Sequence, residues 1–341
     1  MILKFPLETT SLKNPETLFE QEVLNFIKEF QSEEIFVDVQ TSGSTGSPKI
    51  FSIEKEKMRF SAKMTCEFLN LEEGNRALLC LPVQYISGKM MVVRSLVKNL
   101  QLIVSSPSIS PLIQLDSKID FCAMTPLQVE NSLDKIHLIK KLIIGGAAVS
   151  EKLKSKIFNR LGNDSSTSIY ETYGMSETLS HIALKQVYPQ SEDYFTSFTG
   201  VNISKDARGC LVIQAPELTS EVLITNDLVD IKENNRFQFL GRVDNVINSG
   251  GAKIFPERLE ALAKKVIENE IVFIGIKDDV LGEKLIAVVE SDDDEQLKSL
   301  ILNLDFEKKF HQPKEIIFLP ELPRTPNGKI SRLELKKLIS K

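Results

Sequence analysis

Two hydrophobic periods alternate along residues 15–240, and no other feature of the chain restricts its fold as much. Apolar residues recur at helical spacing over Pro15–Phe30, Glu54–Leu71, Gly88–Lys98 and Ser150–Leu161. Between these lie short runs that are apolar at successive positions: Ala77–Pro82, Leu102–Val104, Phe121–Met124, Lys141–Gly145 and Ser168–Tyr170. A strand that is apolar on both sides of its pleat must be covered on both faces, which is the condition of a sheet held between helical layers. After residue 180 the runs become more strand-like and less helical, at His181–Lys185, Cys210–Gln214, Val222–Thr225 and Arg236–Leu240. The expected class is therefore α/β.

A second unit follows Leu240. Helices are expected at Pro256–Asn269, Glu295–Leu304 and Arg332–Ser340, with Pro256 suited to a first helical turn. Strands are expected at Glu270–Ile276, Lys284–Val289 and Glu315–Leu319. The join, Gly241–Gly251, combines charge with glycine, as a hinge would. The chain of 341 residues thus divides into 1–241 and a small α+β unit at 242–341.

Composition narrows the partners. A net charge of −5 gives no electrostatic case for nucleic acid or an anionic membrane surface. The four cysteines (Cys66, Cys80, Cys122, Cys210) include no CxxC pair, and Cys80 and Cys122 sit in apolar runs where buried free thiols are the default. With three histidines as well, a structural zinc site is not expected. The first residues are interrupted by Lys4, Pro6 and Glu8 and do not form a secretory segment, and no apolar run reaches the ~18–20 residues that cross a bilayer. A cytoplasmic, reducing compartment fits.

Four clusters carry chemistry. Thr41, Ser42, Gly43, Ser44, Thr45 and Gly46, closed by Ser47, Pro48 and Lys49, lie between a strand-like and a helix-like segment. Small residues let backbone approach a ligand, consecutive N–H groups form an anion-binding concavity, and hydroxyls with one ammonium suit phosphate oxygens. The order is not that of the Walker loop, which needs Lys directly after Gly, and a flexible Ser/Gly linker has a similar composition. Tyr170–Thr178 follows a strand, where α/β folds place ligands. There Tyr173 can stack on a base, Ser176 can donate to phosphate and Glu177 can hold Mg²⁺; a plain strand-to-loop turn reads the same. Asp227, at the end of a strand, can accept both ribose hydroxyls, with Arg242 adding a charge-assisted contact, although an Asn-Asp turn with a surface ion pair is the simpler alternative. Finally Pro323–Lys329 is stiffened by two prolines, turned by Asn327-Gly328, and presents Lys329 at its tip.

Taken together these clusters resemble the acyl-adenylate-forming superfamily of acyl-CoA synthetases, adenylation domains and luciferase-like ligases. Thr41–Lys49 is similar to the family's phosphate loop, Tyr173-Gly-Met-Ser-Glu177 to its nucleotide and Mg²⁺ motif, Asp227 to its ribose motif, Gly241–Asp244 to its hinge and Pro323–Lys329 to its catalytic-lysine loop. The resemblance spans residues 41–332 in order. It implies a large N-terminal domain of layered α/β sheets with a distorted β-barrel part, and a small mobile C-terminal domain. It further implies two steps: a carboxylate attacks the α-phosphorus of ATP, then the thiol of CoA displaces AMP. Lys329 is the implied catalytic cation, and Glu177 the implied Mg²⁺ ligand. Lys49 becomes a stabiliser of the β- and γ-phosphates, and Gly146, Ala147, Glu171, Thr172 and Gly174 join the ATP site. Asp244 is the implied pivot, and Gly250 and Gly251, within Ser249–Glu257, line the implied CoA path.

Members are usually longer, and the phosphate loop here begins at residue 41, so a reduced N-terminal subdomain is expected. Asn226 stands where Gly is usual, Tyr85 where many members carry His, and Ser176 where Thr is common. The strings Leu81–Gly88, Met91–Leu96, Gly145–Ala148 and Glu177–Ile182 look like those of o-succinylbenzoate–CoA ligases in menaquinone biosynthesis. For such a diacid, Tyr85, Arg94, His181 and Lys185 are the candidate acyl contacts, although Arg94 can equally pair with a surface carboxylate and His181 can be a core residue. A ligase for another aryl or fatty acid, or an adenylation domain loading a carrier protein, remains open.

Overall fold

The computed structural model describes residues 1–6, 14–40, 50–163, 166–324 and 330–339. Among these, twelve strands form one continuous sheet. Its first half begins with an antiparallel edge strand, Ile2–Leu3, and continues in parallel through Gln101–Val104, Arg76–Leu79, Ile119–Met124, Ile139–Ile144 and Ser168–Gly174. Its second half is antiparallel, through His181–Tyr188, Phe195–Ser197, Arg236–Arg242, Leu223–Lys232, Cys210–Gln214 and Asn202–Lys205. Each apolar run becomes a strand, and the antiparallel half extends the same sheet; no closed barrel forms among the described residues.

Strand alternation explains why those runs are apolar throughout. Ala77 and Leu79 enter one core with Phe121 and Ala123, whereas Leu78 and Cys80 enter the opposite one with Cys122 and Met124. The first core is covered by helices Leu18–Gln31, Lys55–Phe68 and Ile86–Lys98, and the second by Glu151–Leu161. All four cysteines are buried and free. The helix Ile86–Lys98 is buried from Gly88 to Ser95. Its approach to the preceding loop requires Gly88, because a Cβ there would lie 2.2 Å from the Pro82 carbonyl oxygen.

From Ile247 onward the chain builds a separate five-stranded sheet. Ile271–Asp278 pairs along its whole length with Gly282–Glu290, which Glu315–Leu319 joins in parallel. Helices Pro256–Ala263, Glu295–Leu302 and Arg332–Ile339 pack on it. The first of these is shorter than the sequence suggests: its last turn gives way after Ala263 before the strand at Ile271. Arg242 ends a strand of the large sheet, and a short turn, Val243–Asn245, separates it from the small one.

Candidate active site

Parallel strands end on one side of a sheet, so the loops leaving them share a single rim. Here those loops hold Leu81, Thr125, Gly145–Val149, Met175, Ser176, Leu179 and Ser180, and they face residues of the second unit across a cleft of ≈ 1930 Å³. Gln40 and Phe51, which flank residues 41–49, both line the cleft, as does Ile330, the residue after Lys329. Thr41–Gly46, Lys49 and Lys329 themselves lie outside the described residues.

Gly146, Ala147, Glu171, Thr172, Tyr173, Gly174, Ser176 and Asp227, all expected at the nucleotide, line this cleft together. Tyr173 is held from three sides. Its ring meets Phe237 edge-on and Phe195 at a tilt, and its hydroxyl donates to Asp227 Oδ2 at 2.5 Å. Burial, then the neighbouring Asp227 carboxylate, pushes the phenol pKa up, so it stays a donor. Arg242 Nη1 donates to the other Asp227 oxygen at 3.1 Å. A carboxylate has about four acceptor sites, so two remain for a ribose. Arg242 also binds Asp244 (2.9 Å), which accepts from Asn226 Nδ2 at 3.2 Å on both oxygens. Gly174 is required by contact: a Cβ would sit 2.4 Å from the Ser180 carbonyl oxygen.

Glu177 is exposed, and among the described residues no partner holds its carboxylate. It occupies a single turn, Ser176–Thr178, closed by Thr178, whose hydroxyl accepts from Met175 N. Directly after it Leu179 adopts φ +66°, ψ −49°, and Ser180 N bonds the Thr178 carbonyl at 2.7 Å. This is a strained three-residue turn for a branched side chain, of the kind found at functional sites. It turns the chain so that Ser180 and His181 line the cleft.

Beside them Arg94 also lines the cleft while only 2% exposed. Its Nη2 reaches Ser180 Oγ at 3.4 Å and Nη1 reaches the Met91 sulfur, but Nε has no partner. Among the described residues no carboxylate pairs with it. Burial pulls its pKa down to about 10. His181 lies between Thr65 and Ser180, and burial, assisted by Arg94, holds it well below the usual histidine pKa, so it is neutral. Lys185 differs: it pairs with Glu171 at 3.0 Å over the Phe195 ring. Tyr85 stands at the cleft edge, 36% exposed.

The structure does not bring every expected residue to the cleft. Glu177, Arg242 and Asp244 stand beside its wall rather than on it, and Gly250 and Gly251 form the turn of a hairpin elsewhere on the second unit. Conversely Ser180 belongs to the site's polar wall, and Thr65, fully buried, stands behind it against His181. Ser180 had a signal, adjacency to His181, but Thr65 lies 116 residues from the ring it touches.

The whole chain is similar to known proteins. The family model described as AMP-binding enzyme matches residues 4–211. An acyl-CoA synthetase (AMP-forming)/AMP-acid ligase II-like protein from Dyadobacter fermentans is 33% identical with a TM-score of 0.68, over 99% of both chains. A 2-succinylbenzoate–CoA ligase from Bacillus thuringiensis is 24% identical over 92% of this chain and 72% of its own. The o-succinylbenzoate coenzyme A synthetase MenE from Bacillus subtilis, in complex with ATP and magnesium, shares the fold (TM-score 0.72, 20% identity) over 88% of this chain and 69% of its own. The family model spans more than half of the sequence, and the chain belongs to the AMP-binding enzyme family.

Proposed function

We propose that this chain is an AMP-forming acid–CoA ligase whose acid is o-succinylbenzoate. The observation that carries the substrate is Arg94. A buried cation without a counter-ion is costly in a folded protein, and one that faces a cavity is matched to an anion that arrives with the ligand. A diacid offers such an anion: one carboxylate reacts while the second meets Arg94. The relatives named as ligases of this acid, and the sequence strings similar to theirs, support the same reading.

In the first step a carboxylate oxygen bonds to the α-phosphorus of ATP and the bond to the β-phosphate oxygen breaks, releasing pyrophosphate. In the second the CoA sulfur bonds to the acyl carbon, the acyl–phosphate bond breaks, AMP leaves and the thiol proton passes to solvent. Asp227, fixed by Tyr173 and Arg242, takes the ribose. Glu177 and the neighbouring Ser176 hydroxyl are hard oxygen donors, and Mg²⁺ is commonly held by one or two carboxylates together with substrate phosphates, so the residues fit that ion. An Mg²⁺ ion held by these oxygens would supply charge neutralisation of the phosphates. Residues 41–49 are assigned to the β- and γ-phosphates and Lys329 to the charge developing at the α-phosphate. The domains are 1–241 and 242–341, with Asp244 as pivot between adenylation and a second arrangement that brings Gly250 and Gly251 to CoA. The setting is cytoplasmic, in keeping with four free thiols; among the described residues no helix is long and apolar enough to cross a membrane.

The test is a panel of carboxylic acids with ATP and CoA, read by pyrophosphate release and the mass of the thioester. o-Succinylbenzoate is expected to lead. A fatty acid or simple benzoate outpacing it rejects the substrate, and transfer only to a phosphopantetheine-bearing protein rejects CoA as acceptor.

A further inference from the structure

The polar groups around Arg94 can be assigned a direction from the two ends of the chain, because Thr65 has a backbone acceptor for its proton and Arg94 can only donate. At one end the Thr65 hydroxyl donates to the Ser61 carbonyl at 3.1 Å, one turn back in its own helix. With its proton on that carbonyl its oxygen accepts, and the 3.1 Å contact with His181 is then a donation from Nε2–H. At the other end the Arg94 guanidinium has donors and no acceptor. Ser180 Oγ therefore accepts from Nη2 at 3.4 Å and directs its own proton at His181 Nδ1, also 3.4 Å away. Both ends demand the same imidazole: neutral, protonated on Nε2, open on Nδ1. The ring plane is held separately, edge-on to Phe198 with centroids 5.4 Å apart.

We infer that Thr65 and His181 are positioning residues for acyl selectivity: through this one-way chain they tie Ser180, and so the Arg94 guanidinium, to the backbone of helix Lys55–Phe68 and present the cation to the second carboxylate of the acid. The inference rests on the diacid reading above. The two 3.4 Å contacts are long for hydrogen bonds, and the guanidinium keeps an unpartnered Nε, so Arg94 is anchored at one corner and not saturated. A ligand carboxylate can use what remains. Were the imidazole to carry its proton on Nδ1, Ser180 would receive two donors, its own proton would have no inward acceptor, and Thr65 would have to give up the Ser61 carbonyl to donate to the bare Nε2. Neither Thr65 nor His181 has to touch the substrate for this role.

The experiment has two parts. In the first, long-range ¹H–¹⁵N NMR of the full chain reads the tautomer of His181, which is one of three histidines and is assigned by the His181→Gln variant. The Nε2–H neutral form is expected, and Thr65→Val is expected to abolish or mix it. An Nδ1–H or doubly protonated ring in the wild-type chain overturns the inference whatever the substrate is. In the second, kcat and KM are measured for o-succinylbenzoate and for its analogue lacking the carboxylate that is not activated. Thr65→Val removes one hydroxyl without changing shape, and is expected to raise KM for the diacid about 3- to 10-fold, with kcat and the monoacid reaction unchanged. Thr65→Ser restores the wild-type KM. His181→Gln, which keeps one donor and one acceptor, loses less than His181→Leu. If Thr65→Val leaves the diacid-to-monoacid ratio unchanged while Arg94→Gln collapses it, the diacid reading stands and the positioning chain falls. If Arg94→Gln also leaves it unchanged, both fall. Urea unfolding followed by circular dichroism shows for every variant that the fold is intact.

Discussion

Two arginines drawn from water sit in opposite settings. In the small C-terminal unit Arg332 is fully answered: its Nη2 meets both Glu260 oxygens at 2.7 and 2.6 Å, and Nη1 donates to the Phe273 carbonyl at 2.8 Å. Glu260 in turn accepts from Phe273 N at 2.9 Å. The pair joins helix, strand and C-terminal helix, and asks nothing of a ligand. Arg94, more deeply buried, has one sulfur, one long hydroxyl contact and an unpartnered nitrogen. A satisfied buried charge holds architecture together, whereas an unsatisfied one at a cavity wall is kept for what binds there.

Substitution should separate the two. Arg332→Met or Glu260→Leu leaves the other charge stranded and is expected to cost about 3 kcal/mol of stability. Urea unfolding followed by circular dichroism reads this directly, since the chain has no tryptophan. Losses below about 1 kcal/mol, the size of an exposed pair, would mean the bridge is ornamental. Arg94→Met should do the reverse. It removes a charge that nothing in the fold balances, so stability is expected to hold or rise slightly, while preference for the diacid over its monoacid analogue falls by about 1.5–3 kcal/mol, the value of a hydrogen bond to a charged group. Severe unfolding of Arg94→Met would erase the contrast.

The smallest effect concerns pH. Folding holds the His181 pKa well below its ordinary value, through burial and then the Arg94 charge. As pH drops below about 6.5 the unfolded chain takes up a proton that the folded one refuses, so stability is full above that pH and declines as pH falls, by up to about 1.4 kcal/mol per unit. His311 is shifted in the same direction, first by burial, and adds to the slope. His181→Gln should flatten the curve between pH 6.5 and 5. An unchanged slope would mean that water reaches the ring.

Much of the fold was legible beforehand because short apolar runs and helical spacing are local properties. The strand expected at Glu315–Leu319 forms over those same residues, and the helix expected at Ser150–Leu161 starts one residue later because Ser150 serves as its cap, accepting from Leu153 N. The helix expected at Pro256–Asn269 ends at Ala263, since its apolar pattern continues into the turn before the next strand. The nucleotide residues around Tyr173 were legible as a string and do converge on one cleft. The acyl wall was less so. Arg94, His181 and Lys185 looked equivalent in sequence, yet Lys185 is paired with Glu171 and Arg94 is not paired with any carboxylate among the described residues.

The sequence by itself determined the sheet, the order of the two units and the motifs with their spacing, because each depends on neighbours a few residues apart. Only the tertiary structure decided which charge would be left without a counter-ion and which hydroxyls would meet a histidine ring. Ser180 lies 86 residues from Arg94, and Thr65 lies 116 from His181. No local pattern specifies such meetings. They depend on how helix Ile86–Lys98, helix Lys55–Phe68 and the strained turn at Leu179 come to rest against one sheet, where burial removes the water that would otherwise make Arg94 and Lys185 alike.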